Sequence, residues 1–111
     1  MFELTIANGL AWALAAFFVV GAIGNWIAPP TIRADYSRWG YPSWFHYFTA
    51  IMEMAAAVML FMPDWRIAGA IVGTAVMLAA LATVLRHREF THAIAPSVVG
   101  ALSVLVGWLS L

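Results

Sequence analysis

The chain has 111 residues, 65% of them hydrophobic and 9% charged, with five arginines balanced by five acidic residues and no lysine. Soluble domains average about 45–50% apolar and about 25% charged residues, so the composition excludes a soluble globular domain, and zero net charge offers no basic face for nucleic acid. No cysteine is present, which excludes disulfides, thiolate metal sites and thiol redox chemistry.

The first apolar stretch covers about residues 5–28. Glu3 is the only charged side chain before Arg33, and the charged opening and cleavage pattern of a secretory leader are missing. The stretch is therefore expected to be a retained span. Pro29-Pro30 stops it. In Thr31–Trp39, the residues Ile32, Tyr36 and Trp39 fall at i, i+4 and i+7, while Arg33, Asp35 and Arg38 lie largely elsewhere. This spacing predicts a short helix lying at the headgroup level, with an ordinary polar loop as the alternative.

The second span is the stretch that organises the chain. Ser43 to Met62 is 20 residues, about 30 Å at 1.5 Å per residue, which matches a bilayer core. Pro42 is expected in its first turn, and Pro63 ends it. Glu53 is the eleventh of these residues, near the midplane. A carboxylate there costs roughly 2.5–3.5 kcal/mol on insertion scales, so an intramembrane acid is a functional-site candidate. Pro63-Asp64-Trp65-Arg66 reads as a tight turn, with Asp64 as N-cap of the next helix. The third span covers 67–85 without a charge. Arg86 to His92 forms a polar connection, and the fourth span covers 94–111, with Pro96 in its first turn. The expected architecture is all-α: one domain over 1–111, an integral membrane four-helix bundle with a short interfacial helix between the first two spans.

Four spans place Arg33, Arg38, Arg86 and Arg88 at one side of the membrane and Arg66 at the other. The positive-inside rule then puts the first and third connections in the cytoplasm and both termini outside. Trp26, Trp39, Tyr41 and Trp44 cluster at the arginine-rich boundary, and Trp65 and Trp108 at the other, as interfacial belts do. Gly69 and Gly73 let a neighbouring helix approach closely. Packing within one bundle is the expected use, and a homodimer seam is the alternative. The six methionines read as core filler.

His46 and Glu53 are seven residues apart on the second span, on nearly the same face and about 10 Å apart along the axis. A cavity is expected to reach from His46 at the boundary to Glu53 at the midplane. Glu53 is expected to be neutral unless a cation or a polar cluster supports it. Its purely structural alternative is a glutamic acid that holds helices together by hydrogen bonds. Arg86 and His87 can fold inward from the end of the third span, and Asn25 lies on the same side. Three histidines and a glutamate match no standard zinc spacing, so no metal site is expected. No Ser-His-Asp pattern, phosphate loop or dinucleotide fingerprint occurs, so no catalytic residue is named.

The runs Gly21-Ala-Ile-Gly-Asn-Trp26, Arg38-Trp-Gly-Tyr-Pro-Ser-Trp-Phe-His-Tyr-Phe-Thr49, Ile51-Met-Glu-Met-Ala-Ala-Ala57 with Pro63, and Leu85-Arg-His-Arg-Glu89 resemble the DoxX-like family of small membrane proteins. The likeness extends over nearly the whole chain. The tyrosine-proline entry and the following glutamate are its most specific parts. It implies a four-helix integral membrane protein. The family takes its name from a subunit of a thiosulfate:quinone oxidoreductase, and some relatives associate with redox proteins. The resemblance carries the family's glutamate onto Glu53 and its histidine onto His87. Relatives often have lysine where this chain has Asn25, and glycine where it has Ala50.

Together these readings predict a protein of the bacterial inner membrane that binds a lipophilic, quinone-like molecule around Glu53, with His46, Arg86, His87 and Asn25 nearby. A protonated Glu53 would donate to a quinone carbonyl. With no metal, flavin or thiol motif, electron transfer would need a redox partner protein or a bound cofactor. The alternatives are a small proton-coupled transporter, or a membrane scaffold that needs no ligand. In the scaffold, Glu53→Gln would leave function intact.

Overall fold

The computed structural model describes residues 6–111. Glu3, and Thr5 at the start of the expected first span, lie outside the described residues. Every regular element within them is helical. Helix α1 runs Ile6–Ile27. Ala28 then takes a left-handed backbone conformation (φ 48°) while its N–H still reaches the Gly24 carbonyl at 2.8 Å. Pro29 cannot continue the helix, and Arg33 fixes the corner by donating from Nε to the Ala28 carbonyl at 2.8 Å.

Helix α2 runs Pro30–Arg38, with Pro30 at its first position, where a missing N–H costs nothing. The expected short helix is therefore formed, one residue earlier than the spacing suggested. Gly40 (φ 86°) supplies the left-handed turn that follows. Helix α3 runs Phe45–Phe61. It starts two residues later than expected, because Pro42 to Trp44 form a turn in which the Phe45 N–H bonds the Pro42 carbonyl at 3.0 Å. Pro42 thus precedes the helix instead of sitting in its first turn.

A 3₁₀ turn, Pro63–Trp65, leads into α4, Arg66–Arg86. Asp64 lies inside that turn, Trp65 occupies the N-cap position, and no side chain caps α4. The expected Asp64 cap is not made. A second 3₁₀ turn, Phe90–Ala93, leads into α5, Ile94–Leu109. Three helical segments, Ile6–Ile27, Pro63–Arg86 and Phe90–Leu109, are long and apolar enough to cross a membrane. α3 is apolar but shorter, at 17 residues, about 26 Å.

The long helices form a closed ring in which α1 packs on α3, α3 on α4, α4 on α5 and α5 on α1, with α2 outside it. The interior is built from small residues around a few large ones. Ala11, Ala56, Ala57 and Ala70 surround Phe18, Leu60 and Val106. The outer surface is the reverse of a soluble protein's: Val20, Ile23, Ile51, Val58, Ile71, Leu78 and Val104 are all more than half exposed. An apolar surface of that extent needs lipid. Between the helices apolar burial gives little drive, so close packing must hold them.

The glycines show where that packing is tightest. A Cβ on Gly69 would lie 2.7 Å from the Leu60 nitrogen and 3.0 Å from the Met59 carbonyl carbon, both backbone atoms of α3. On Gly73 it would meet the buried Phe18 ring at 2.9 Å. Both glycines face the chain's own helices, so this motif packs within the bundle.

Arg66 is buried beneath this contact. Its Nε donates to the Leu60 carbonyl at 2.9 Å and its guanidinium to Asn8 Oδ1 at 2.6 Å. The tight turn expected from the sequence therefore holds an inserted cation.

Gly69→Ala should lower stability by about 2–3 kcal/mol, since backbone cannot yield as a side chain can. Gly9→Ala, with open space around its Cβ position, should change it by less than ~0.5 kcal/mol. Thermal unfolding of the two variants in the same detergent checks the contrast.

Candidate ligand cavity

Helix α3 turns Glu53 toward α1, where its side chain is buried. It fits there because position 21 is glycine: a Cβ on Gly21 would lie 2.7 Å from Glu53 Oε2. One turn further along α1, the Asn25 amide donates to Glu53 Oε1 at 2.7 Å and to the Gly21 carbonyl at 3.0 Å. Both amide protons of Asn25 are thereby used. Among the described residues, no arginine or histidine pairs with Glu53.

Asn25 also joins α2 to this centre. The Tyr36 hydroxyl donates to Asn25 Oδ1 at 2.7 Å. Burial pushes the Tyr36 phenol above its ordinary pKa, a shift opposed by the Thr49 hydroxyl beside it and reinforced by the Glu53 and Asp35 carboxylates. His46 Nδ1 lies 2.8 Å from the Asn25 backbone oxygen, so the ring ties α3 to the end of α1.

A cavity of about 360 Å³ extends from this cluster. Phe48, Thr49, Met52 and Glu53 of α3 form one wall, and Val76, Ala79, Ala80 and Thr83 of α4 the other. Ile32 and Tyr36 of α2, with Trp39 at its C-cap, cover it, and these are the three residues whose spacing marked one helix face. Stacked Tyr41 and Phe45 (centroids 4.4 Å apart, 8° between planes) close the aromatic end. Tyr41 OH and Thr83 Oγ1 lie 2.6 Å apart. His92 and Asp35 stand at the exposed mouth.

A second polar cluster holds α2 over the cavity. Glu89, in the α4–α5 connection, accepts two bonds from Arg38, at 2.8 and 3.0 Å, and one from Trp39 Nε1 at 2.9 Å. The Arg38 guanidinium and the Trp39 indole draw the Glu89 carboxyl down to about 2. Glu89 and Asp35 in turn hold the Arg38 guanidinium above its usual value.

The DoxX-like family pattern matches residues 9–106. The chain belongs to the DoxX-like family. It matches none of the curated proteins and none of the solved structures with which it was compared.

Of the residues named from the sequence of this DoxX-like protein, Glu53 and Asn25 meet directly and both line the cavity. His46 is buried one side chain away, facing α1 and not the cavity space. Arg86 and His87 do not line it either. His87 caps the end of α4, its Nδ1 lying 2.9 Å from the Thr83 carbonyl, and Arg86 ends the same helix on the exposed surface. Sequence reasoning missed Tyr36, Tyr41 and Thr83 as cavity residues, and Glu89 as the anchor of α2. Tyr36 had a signal, its place on the apolar face of α2. Glu89 lies 51 residues from Arg38, and no local pattern links the two.

Two outcomes are expected. Gly21→Ala should push the Glu53 carboxyl off α1, shifting its infrared band, assigned against Glu53→Gln; an unmoved band would contradict the contact. The folded pKa of Glu89 lies below its ordinary 4.5. Its anchoring is therefore fully present above that value and is lost as pH falls toward about 2. Amide-exchange protection of α2, corrected for intrinsic exchange, should be flat from neutral pH down to about 5 and fall below that. Glu89→Gln should reduce it at neutral pH.

Proposed function

We propose that this membrane protein binds a lipophilic, quinone-like small molecule in the cavity beside Glu53. The observation that carries the reading is the cavity itself. At about 360 Å³ it falls in the range of about 300–1,000 Å³ typical of small-molecule sites. Its walls are mostly apolar and aromatic, and its polar groups gather at two places, Glu53 with Asn25 and Tyr36, and Tyr41 with Thr83. That division suits a flat ring with polar substituents and an apolar tail. A ligand of this kind is concentrated in the bilayer, and the exposed Phe48 and Ala79 put the cavity wall in reach of it.

Arg33 and Arg38 belong to α2, Arg86 to the end of α4 and Arg88 to the α4–α5 connection, and the Arg38–Glu89 pair brings these together at one end of the bundle. The positive-inside rule favours a cytoplasmic position for that end, in a bacterial inner membrane. Bound near it, a quinone-like ligand would sit where a soluble or peripheral redox partner can reach it. The chain's own residues supply binding and orientation, and electrons would come from that partner.

The purified protein in lipid nanodiscs should bind decylubiquinone saturably, and its melting temperature should rise with ligand concentration. Ala80→Phe, which fills the space between α3 and α4, should abolish both effects while the helical signal is unchanged. Equal binding by wild type and Ala80→Phe would place any quinone in the lipid and end the reading.

A further inference from the structure

Which ligand the cavity prefers can be read from its hydrogen bonds, counted by donor and acceptor. Tyr36 has one hydroxyl proton and gives it to Asn25 Oδ1. Asn25 gives both amide protons away, to Gly21 and to Glu53. Thr83 gives its proton to the Ala79 carbonyl at 2.8 Å, so the 2.6 Å contact with Tyr41 must be a bond that Tyr41 donates. The Thr49 hydroxyl is used on the Phe45 carbonyl at 3.3 Å or on the Tyr36 oxygen beside it, both inside the protein, and the Trp39 indole N–H on Glu89.

Every hydroxyl, amide and indole proton on the cavity wall is thus committed inside the protein. What remains are lone pairs, on the oxygens of Tyr36, Tyr41, Thr49 and Thr83 and on the carboxyl of Glu53. The exceptions are a proton on Glu53 itself and the exposed ring of His92 at the mouth. No arginine lines the cavity. A carbonyl entering such a site would exchange its bonds with interfacial water for little, whereas a hydroxyl finds several acceptors, one of them a carboxyl. Leaving a buried polar group unpaired is what makes the difference large.

We propose that the cavity selects ligands that bring their own hydrogen-bond donors, specifically the hydroxyl groups of a flat lipophilic phenol, so that a hydroquinone binds in preference to the corresponding quinone. This rests on the cavity being the ligand site, and it specifies the ligand's chemistry. The hydroxyl is assigned over an ammonium group because stacked Tyr41 and Phe45, with Phe48, shape the apolar part for a ring.

The wall makes two substitutions informative. In Glu53→Gln the new side-chain oxygen can take over the bond from Asn25, which puts an amide donor where the second carboxyl oxygen was an acceptor. In Thr83→Val the Tyr41 hydroxyl loses its acceptor and its proton becomes available. Both variants convert a site of acceptors into one that offers a donor.

The test is calorimetric titration of the full chain in nanodiscs, under anaerobic conditions, with decylubiquinol, decylubiquinone and decylamine. Wild type should bind the quinol about ten-fold more tightly than the quinone, the scale of one hydrogen bond to a charged or strongly polar group. The preference should shrink or reverse in Glu53→Gln and in Thr83→Val, with Thr83→Val deciding the matter if Glu53→Gln does not fold. Quinone binding as tight as quinol in the wild type would overturn this inference and leave the cavity reading standing. Tighter binding of decylamine than of the quinol would overturn the hydroxyl assignment. Absence of saturable binding by all three would overturn the cavity reading with it.

Discussion

The structure depends on one contact between α1 and α3, where a glutamate side chain lies against a glycine. Glu53 is near the middle of an apolar helix, and lipid gives a carboxyl nothing to bond. The bundle solves this by bringing the carboxyl onto the α1 backbone at Gly21 and meeting it with the Asn25 amide. Neither step works alone. Without the glycine the helices could not close around the group, and without the amide the carboxyl would be buried with no donor. Because Asn25 then offers its oxygen to Tyr36, and its backbone carbonyl to His46, the same residue ties both α2 and α3 to the end of α1. The cavity is the space left between these fixed points and α4.

Helix α4 leaves that space because its packing on α3 is uneven. At the far end Gly69 lies against the α3 backbone itself, the closest approach two helices can make. Toward the α2 end the facing residues are Phe48, Thr49 and Met52 against Ala79, Ala80 and Thr83. There the bulk of α3 meets small side chains of α4 without filling the gap. A wedge results that is tight at its apex and open at the other end. Close packing supplies the stability at the apex, where apolar burial between lipid-solvated helices cannot. The open end is covered by a nine-residue helix that buries no residue fully.

The helices were legible in the sequence because the chemistry that marks them is local. Uncharged stretches of about 20 residues, prolines at their limits and the i, i+4, i+7 face of α2 all act within one element. The boundaries slipped where a turn competed with a helix, as at Pro42 to Trp44. Glu53 was legible because a midplane acid is costly anywhere, and Asn25 because it is a polar residue near the end of the first span on the side of His46. What the acid bonds to was not legible, since the distance from Asn25 to Glu53 in sequence carries no signal of contact in space. Arg86 and His87 were drawn toward the cavity because they are charged or titratable at the right depth. Helix rotation decides such cases, and it turns Thr83 inward while His87 spends its ring nitrogen on the helix end. Thr49 and Thr83 read as ordinary span residues, Tyr36 as part of the interfacial helix face and Tyr41 as part of an aromatic belt, and their use emerges only from which group takes each proton.

The two anchors of α2 differ in kind. The outer one is a bidentate ion pair between Arg38 and Glu89, with the arginine about half exposed, where salt and water screen the attraction. The inner one is a pair of hydrogen bonds, Tyr36 to Asn25 and Asn25 to Glu53, partly buried within the bundle. Neither has the area to hold a helix by burial. The rings do more: Tyr36 packs edge-on against Trp39 and Tyr41, at 5.7 and 5.9 Å between centroids, and Tyr41 stacks on Phe45 at the start of α3. These aromatic contacts are also the cavity's own surface. The stability of α2 and the shape of the site therefore rest on the same side chains. A substitution that loosens one must alter the other, which makes α2 part of the binding wall and not a separate cover laid over it.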